Sequence, residues 1–180
     1  VNYLLFFGFI RSYKGVDLLL QALADERLSE FNCKVIVAGE FYEDEKYYYD
    51  LEKKLGLKGR VIWYPSFIPD GEVAPYFNVA DMVILPYKSA TQSGVAQIAY
   101  HFEKPMVVTN VGGLPEIVPH KKVGFVVDVN PKAIATAIAG FYTETNSLNF
   151  EAGIAEEKKK YEWTKLTQSF VELFNETSIN

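Results

Sequence analysis

Short runs of β-branched and aromatic residues alternate with longer stretches of helical period along almost the whole chain, and this alternation confines the fold more than any other feature. Tyr3–Phe7 is aromatic and aliphatic and is closed by Gly8, Lys34–Ala38 ends at Gly39, and Val61–Tyr64 runs into Pro65. Met82–Leu85 is stopped by Pro86, and Met106–Thr109 and Val123–Val127 complete the series. Runs that are apolar on consecutive residues read as strands buried on both faces. Between the first two, Val16, Leu19, Leu20 and Leu23 fall at i, i+3, i+4 and i+7, which is one face of a helix. Glu43–Leu55, Glu72–Ala80 and Gly94–Phe102 read as further helices, and Gly112, Gly113 and Pro115 mark a turn. Helical stretches near Pro131–Tyr142, Phe150–Tyr161 and Thr164–Phe174 close the chain. Strands joined through helices need crossover connections, and crossovers make a parallel sheet. The expectation is an α/β domain with a Rossmann-like, doubly wound parallel sheet of about six strands, helices on both faces, in three αβα layers. No repeat, low-complexity tract or linker interrupts the pattern, so residues 1–180 read as a single domain.

Composition removes several function classes. Apolar residues make up 49% of the chain, enough for a core and too many for intrinsic disorder. A balance of 18 basic against 23 acidic residues, net −5, argues against a surface built for nucleic acid or an anionic membrane. The single cysteine, Cys33, has no internal disulfide partner, and no Cys/His spacing suits zinc. The apolar runs stop far short of the ~20 residues a membrane span needs. Val1 stands inside the first strand pattern, which sets the expectation of a segment from a longer chain, with a removed tag as the alternative.

In a sheet of this kind ligands bind beyond the carboxyl ends of the strands, at the point where the strand order reverses. The stretch after the first strand, Gly8-Phe9-Ile10-Arg11-Ser12-Tyr13-Lys14-Gly15, lacks the G-x-G-x-x-G of dinucleotide sites, and the chain contains no G-K-S/T of a phosphate loop. Arg11 and Lys14 can nevertheless face one anion, the first as a planar fork and the second as a point charge, a combination suited to a diphosphate. The alternative is a pair of solvated cations at a helix start, where the helix dipole disfavours them. After the fourth strand, a hydroxyl-rich loop ends in Ser93-Gly94-Val95 where a helix begins. Free amides beside a glycine make an anion site there, while simple capping of the helix by Ser93 is the plainer reading.

Taken together, FFGFIRSYKGVDLLLQAL, VIVAGE, RVIWYPSFIPDGEVAPYFNVADMVILPY, KPMVVTNVGGLPEIV and VGFVVDV occur in an order and at spacings that closely resemble the C-terminal half of group 1 (family 4) glycosyltransferases of the GT-B type. The closing YEWTKLTQSFVELFNE resembles that family's terminal aromatic helices. The resemblance implies a retaining transferase that takes a nucleotide-diphosphate sugar (UDP-, GDP- or ADP-linked) without a bound metal or other cofactor. The donor would be held in a cleft against an N-terminal acceptor-binding domain of the same chain. It implies a cytoplasmic setting, with any contact to the cytoplasmic membrane face made through that other domain, and a role in glycan or polysaccharide synthesis.

By the same resemblance Lys14 is the lysine of the family's K-G pair and should meet the donor diphosphate. The partner arginine would follow Gly8 directly, where this chain has Phe9, and Arg11 is the nearby substitute. Gly8, Gly39 and Glu40 stand where loops pass the nucleotide, and Phe67 and Ile68 match the loop lining its base. The main departure lies in the E-x7-E motif. Counting back from Lys104-Pro105, its two positions fall on Ala90 and Ile98. Gln97 is the polar residue nearest the second position and the candidate for the ribose, although it points about 100° away from residue 98 on a regular helix. No catalytic residue is assigned. A non-catalytic nucleotide-sugar-binding or interaction module is therefore the alternative reading, and a GT-B epimerase or phosphorylase a third that shares only the architecture.

Other conspicuous residues read as structural. His101 suggests packing or a helix-end charge, His120 an exposed loop, and Cys33 a small buried hydrophobe. Tyr47, Tyr48 and Tyr49 cannot all face one side of a helix, and Lys158–Lys160 with Glu156 and Glu157 reads as a solvated face.

Overall fold

A computed structural model describes residues 1–144 and 148–161. Its strands are β1 (Asn2–Phe7), β2 (Cys33–Ala38), β3 (Val61–Tyr64), β4 (Met82–Leu85), β5 (Met106–Thr109) and β6 (Gly124–Val127). All pair in parallel in one six-stranded sheet of order β3-β2-β1-β4-β5-β6. The doubly wound α/β expectation is met. From β1 the chain winds outward through β2 to β3, then returns to the other side of β1 and winds outward again through β5 to β6. The reversal lies between β1 and β4, and the chain ends leaving those two strands diverge there.

The helices are α1 (Val16–Leu23), α2 (Glu45–Lys54), α3 (Ala74–Val79), α4 (Gly94–His101), α5 (Leu114–Ile117), α6 (Pro131–Glu144) and α7 (Phe150–Lys158). Helix α1 occupies the span its apolar period predicts, with Val16, Leu19, Leu20 and Leu23 fully buried. Each such side chain contributes about 1.5–3 kcal/mol by leaving water. Its buried face meets α2 and α6, while α4 meets α7, so the sheet is covered by two helical layers. The centre of the sheet is dry: every residue of β4 and β5 is buried.

Differences from the sequence reading are local. Helix α2 starts two residues later than the charge pattern suggests because the Asp44 side chain accepts the Lys46 amide and caps it. Of its tyrosines Tyr48 is buried and Tyr47 exposed. The segment before α3 is a 3-10 turn at Asp70–Glu72, and the helix proper starts at Ala74 with Pro75 in its first turn. In the Glu156–Lys160 stretch Glu156, Lys159 and Lys160 are exposed as expected, and Glu157 is the exception. Glu157 is buried, held by Lys122 at 2.8 Å and by Lys160, and these cations keep its carboxyl below the usual range. The predicted helix Thr164–Phe174 lies outside the described residues. None of the described helices is long and apolar enough to cross a membrane.

Candidate functional site

Beyond the carboxyl ends of β1 and β2, facing the start of α4, lies a cleft of about 380 Å³. It opens where the strand order reverses. Its walls come from four segments: Gly8, Phe9 and Lys14 after β1; Gly39 and Glu40 after β2; Phe67, Ile68, Asp70 and Val73 before α3; Gly94, Val95 and Ile98 on α4. Two glycines make the geometry possible. Gly39, at φ 148°, passes so close to the end of β1 that a Cβ there would stand 2.1 Å from the Gly8 oxygen. The Gly8 amide meanwhile continues the ladder to Ala38 at 2.9 Å. Gly15, at φ 71°, starts α1 directly against the Pro86 carbonyl.

The two elements expected to hold a diphosphate converge on one point. A Cβ on Gly8 would lie 3.3 Å from Lys14 Nζ and 3.5 Å from Val95 Cγ2, so the lysine and the first turn of α4 reach the same glycine from different loops. The amides of Gly94 and Val95 are among the first-turn donors that a helix cannot satisfy internally. Lys14 is half-buried, and its ammonium stands over the Tyr87 ring, 5.6 Å from the centroid. Burial first, and then the charge of Arg11, push its pKa below the ordinary lysine value; no carboxylate among the described residues counters them. The cleft thus presents one under-compensated cation beside free helix amides. Glu40 and Asp70, both exposed carboxylates, supply acceptors for hydroxyl or amino donors elsewhere on its wall.

Most of the residues singled out from the sequence meet here: Gly8, Lys14, Gly39, Glu40, Phe67, Ile68, Gly94 and Val95 all line the cleft. Three do not. Arg11 is exposed, and its guanidinium lies over the Tyr42 ring at 4.7 Å, with Tyr42 in turn against Phe9. Ser93 is buried behind the wall, where its hydroxyl meets the Tyr87 hydroxyl at 3.4 Å instead of capping α4. Gln97 is exposed, while its neighbour Ile98 lines the cleft, as the 100° step of a helix requires.

Other parts of the site had no signal in the sequence. Asp70 and Val73 enter the wall because the 3-10 turn folds them back toward α4. Thr109, fully buried at the end of β5, donates to the Tyr87 carbonyl at 2.5 Å and anchors the chain as it leaves β4. That leaving loop also rests on the Gly112-Gly113 turn, through the Gly113 amide to Thr91 at 3.0 Å. His101 is exposed with its ring edge-on to Phe102, and His120 accepts the Val126 amide through Nδ1 at 3.0 Å. Neither reaches the cleft.

Residues 1–144 match the family model for glycosyl transferases of group 1. Over 174 residues the chain is 27% identical to an uncharacterized glycosyltransferase of Methanocaldococcus jannaschii, covering 95% of this chain and 44% of that protein. Over 177 residues it is 28% identical to the D-inositol 3-phosphate glycosyltransferase of Corynebacterium urealyticum, covering 94% and 42%. The chain therefore spans less than half the length of these relatives. Solved structures share the fold. Anabaena HepE in complex with UDP superposes with a TM-score of 0.80 at 20% identity, over 97% of this chain and 49% of that one. The C-terminal domain of a group 1 glycosyl transferase family protein from Francisella tularensis superposes with a TM-score of 0.74 at 21% identity, over 90% and 87%.

Proposed function

The chain belongs to the group 1 glycosyl transferases, and we propose that it is the C-terminal, donor-binding half of such an enzyme, taking a nucleotide-diphosphate sugar for retaining transfer to an acceptor. The observation that carries this reading is the convergence of Lys14 Nζ and the Val95 side chain, in the first turn of α4, on Gly8. A diphosphate brings two to three negative charges into a small space. A half-buried ammonium without a carboxylate partner and two unsatisfied amides are what such a group needs. As the sugar leaves, charge grows on the diphosphate, and donors already fixed in place stabilise it without reorganising. The nucleoside would extend along Gly39, Glu40, Phe67 and Ile68, with Glu40 and Asp70 offered to its hydroxyl and amino groups. That the structurally similar HepE is solved in complex with UDP supports a nucleotide as the ligand class.

Acceptor binding is assigned to the part of the relatives' length that this chain does not span. In this reading Lys14 and the amides neutralise the diphosphate, and no metal ion is required. A second reading has a specific observation behind it. Neither E-x7-E position carries a carboxylate: Ala90 stands at the first, and at the second Ile98 puts an aliphatic side chain on the cleft wall, which suits a module that binds a nucleotide sugar without turning it over.

Calorimetric titration of the chain with UDP, GDP and ADP, each with and without EDTA, tests the donor reading. Binding of at least one, unaffected by EDTA, is expected. Absence of binding by all of them would remove it. Transfer from the corresponding nucleotide sugar by the full-length protein separates the enzyme from the binding module.

A further inference from the structure

Behind the cleft, the loops that carry its walls are tied together by a polar cluster centred on Lys88. Its Nζ donates to Asp17 Oδ2 on α1 at 2.8 Å, across 71 residues of sequence. Its backbone amide donates to the Tyr13 carbonyl at 2.7 Å, next to Lys14. Glu43, on the loop after β2, accepts the Ser12 amide at 2.8 Å and the Tyr48 hydroxyl at 3.4 Å, and the Lys88 charge also acts on its carboxyl. Residues 8–15, 39–44 and 86–93 therefore share one node.

Asp17 is 8% exposed, and its second carboxylate oxygen is buried without a hydrogen-bond partner. A buried carboxylate with one cation and one orphaned oxygen recovers its desolvation cost poorly, so stability alone explains it badly. Its geometric consequence is specific. The residue before Lys88 is Tyr87, whose ring lies under the Lys14 ammonium and whose hydroxyl meets Ser93, the residue that leads into α4. Moving residue 88 would displace the support of Lys14 and the start of α4 together.

We propose that Lys88 is a positioning residue for the donor diphosphate: through Asp17 and the Tyr13 carbonyl it holds Lys14 opposite the first-turn amides of α4, so that both address the same group. The proposal rests on the donor reading above. It makes Lys88 matter to the second phosphate of the ligand and leave the nucleoside contacts alone.

The test is a pair of calorimetric titrations, UDP and UMP or the corresponding guanine or adenine pair where that diphosphate binds more tightly, on the chain and on Lys88→Met, Lys88→Arg, Asp17→Asn and the double variant Asp17→Asn/Lys88→Met, with the melting temperature of each. The unaltered chain is expected to prefer UDP. Lys88→Met should lose about tenfold of that preference while keeping its affinity for UMP. Lys88→Arg should restore it, and the double variant should lose no more than either single one. A pair that serves stability alone would lower the melting temperature and leave the UDP-to-UMP ratio intact, and that outcome overturns the proposal. Should Lys88→Met fail to fold, the ratio in Asp17→Asn decides in the same way. An unaltered chain that prefers none of UDP, GDP and ADP to its monophosphate overturns the donor reading and this role with it. A preference that survives in Lys88→Met overturns the role of Lys88 alone.

Discussion

Gly15 sits so close to Pro86 that a Cβ on the glycine would lie 2.0 Å from the proline carbonyl oxygen. This approach joins the loop after β1 to the loop after β4 and sets the distance between the two halves of the cleft. Gly15→Ala adds both a steric clash with backbone and an unfavourable positive φ. It should cost about 1–3 kcal/mol in urea unfolding. It should also weaken nucleotide binding, because Lys14 and α4 are then driven apart.

Lys14 carries its charge in a place that disfavours it. Its pKa in the folded chain lies below the unfolded value, through burial and then Arg11. The unfolded chain therefore binds the proton more readily, and stability from this group rises with pH through the interval between the two values. Near neutral pH the full penalty is present. Lys14→Met should accordingly raise the melting temperature of the unliganded chain at pH 7 while removing the proposed partner of the diphosphate, the opposite of what a structural lysine would do.

Phe67 is 63% exposed on the cleft wall. Its truncation removes little packing, so Phe67→Ala should change stability by no more than about 0.5 kcal/mol. A base lying against the ring would lose about 0.5–1.5 kcal/mol of binding, readable as a severalfold higher Kd in calorimetry.

Glu157 supplies a pH dependence far from the cleft. Lys122 and Lys160 lower its pKa in the folded state, so as pH falls the unfolded chain takes up the proton first. The stabilisation is present above the ordinary carboxyl pKa of about 4.3 and is lost as pH drops through the folded value. Glu157→Gln should destabilise the chain by about 1–2 kcal/mol at pH 7. It should also flatten the decline of melting temperature between about pH 5 and about pH 3, the range in which this carboxyl titrates.

The strands were legible because a parallel sheet buries both faces, so Val35–Ala38 and Met82–Leu85 show no polar alternation to confuse with a surface strand. Helix phase was legible only in part: the 100° step from residue 98 already turns Gln97 away from the wall that Ile98 lines, yet Gln97, as the nearest polar side chain, still reads from sequence as a nucleotide contact. What sequence could not supply was direction across loops. Nothing local tells that the Ser93 hydroxyl turns inward to Tyr87, or that Arg11 lies on Tyr42 and does not join Lys14. Asp17 and Lys88 look like ordinary charged residues until the winding of the sheet brings them to 2.8 Å. Contacts of that kind are made by topology, and the periodicity of neighbours carries no trace of them.

The proposed diphosphate site of Lys14 and the start of α4 stands or falls on a titration of the chain and its Lys14→Ala variant with whichever of UDP, GDP and ADP binds most tightly. Affinity should fall by about tenfold or more, the loss of one charge-assisted contact, with the nucleoside monophosphate little affected. Equal affinities for the diphosphate in the two proteins would rule the site out.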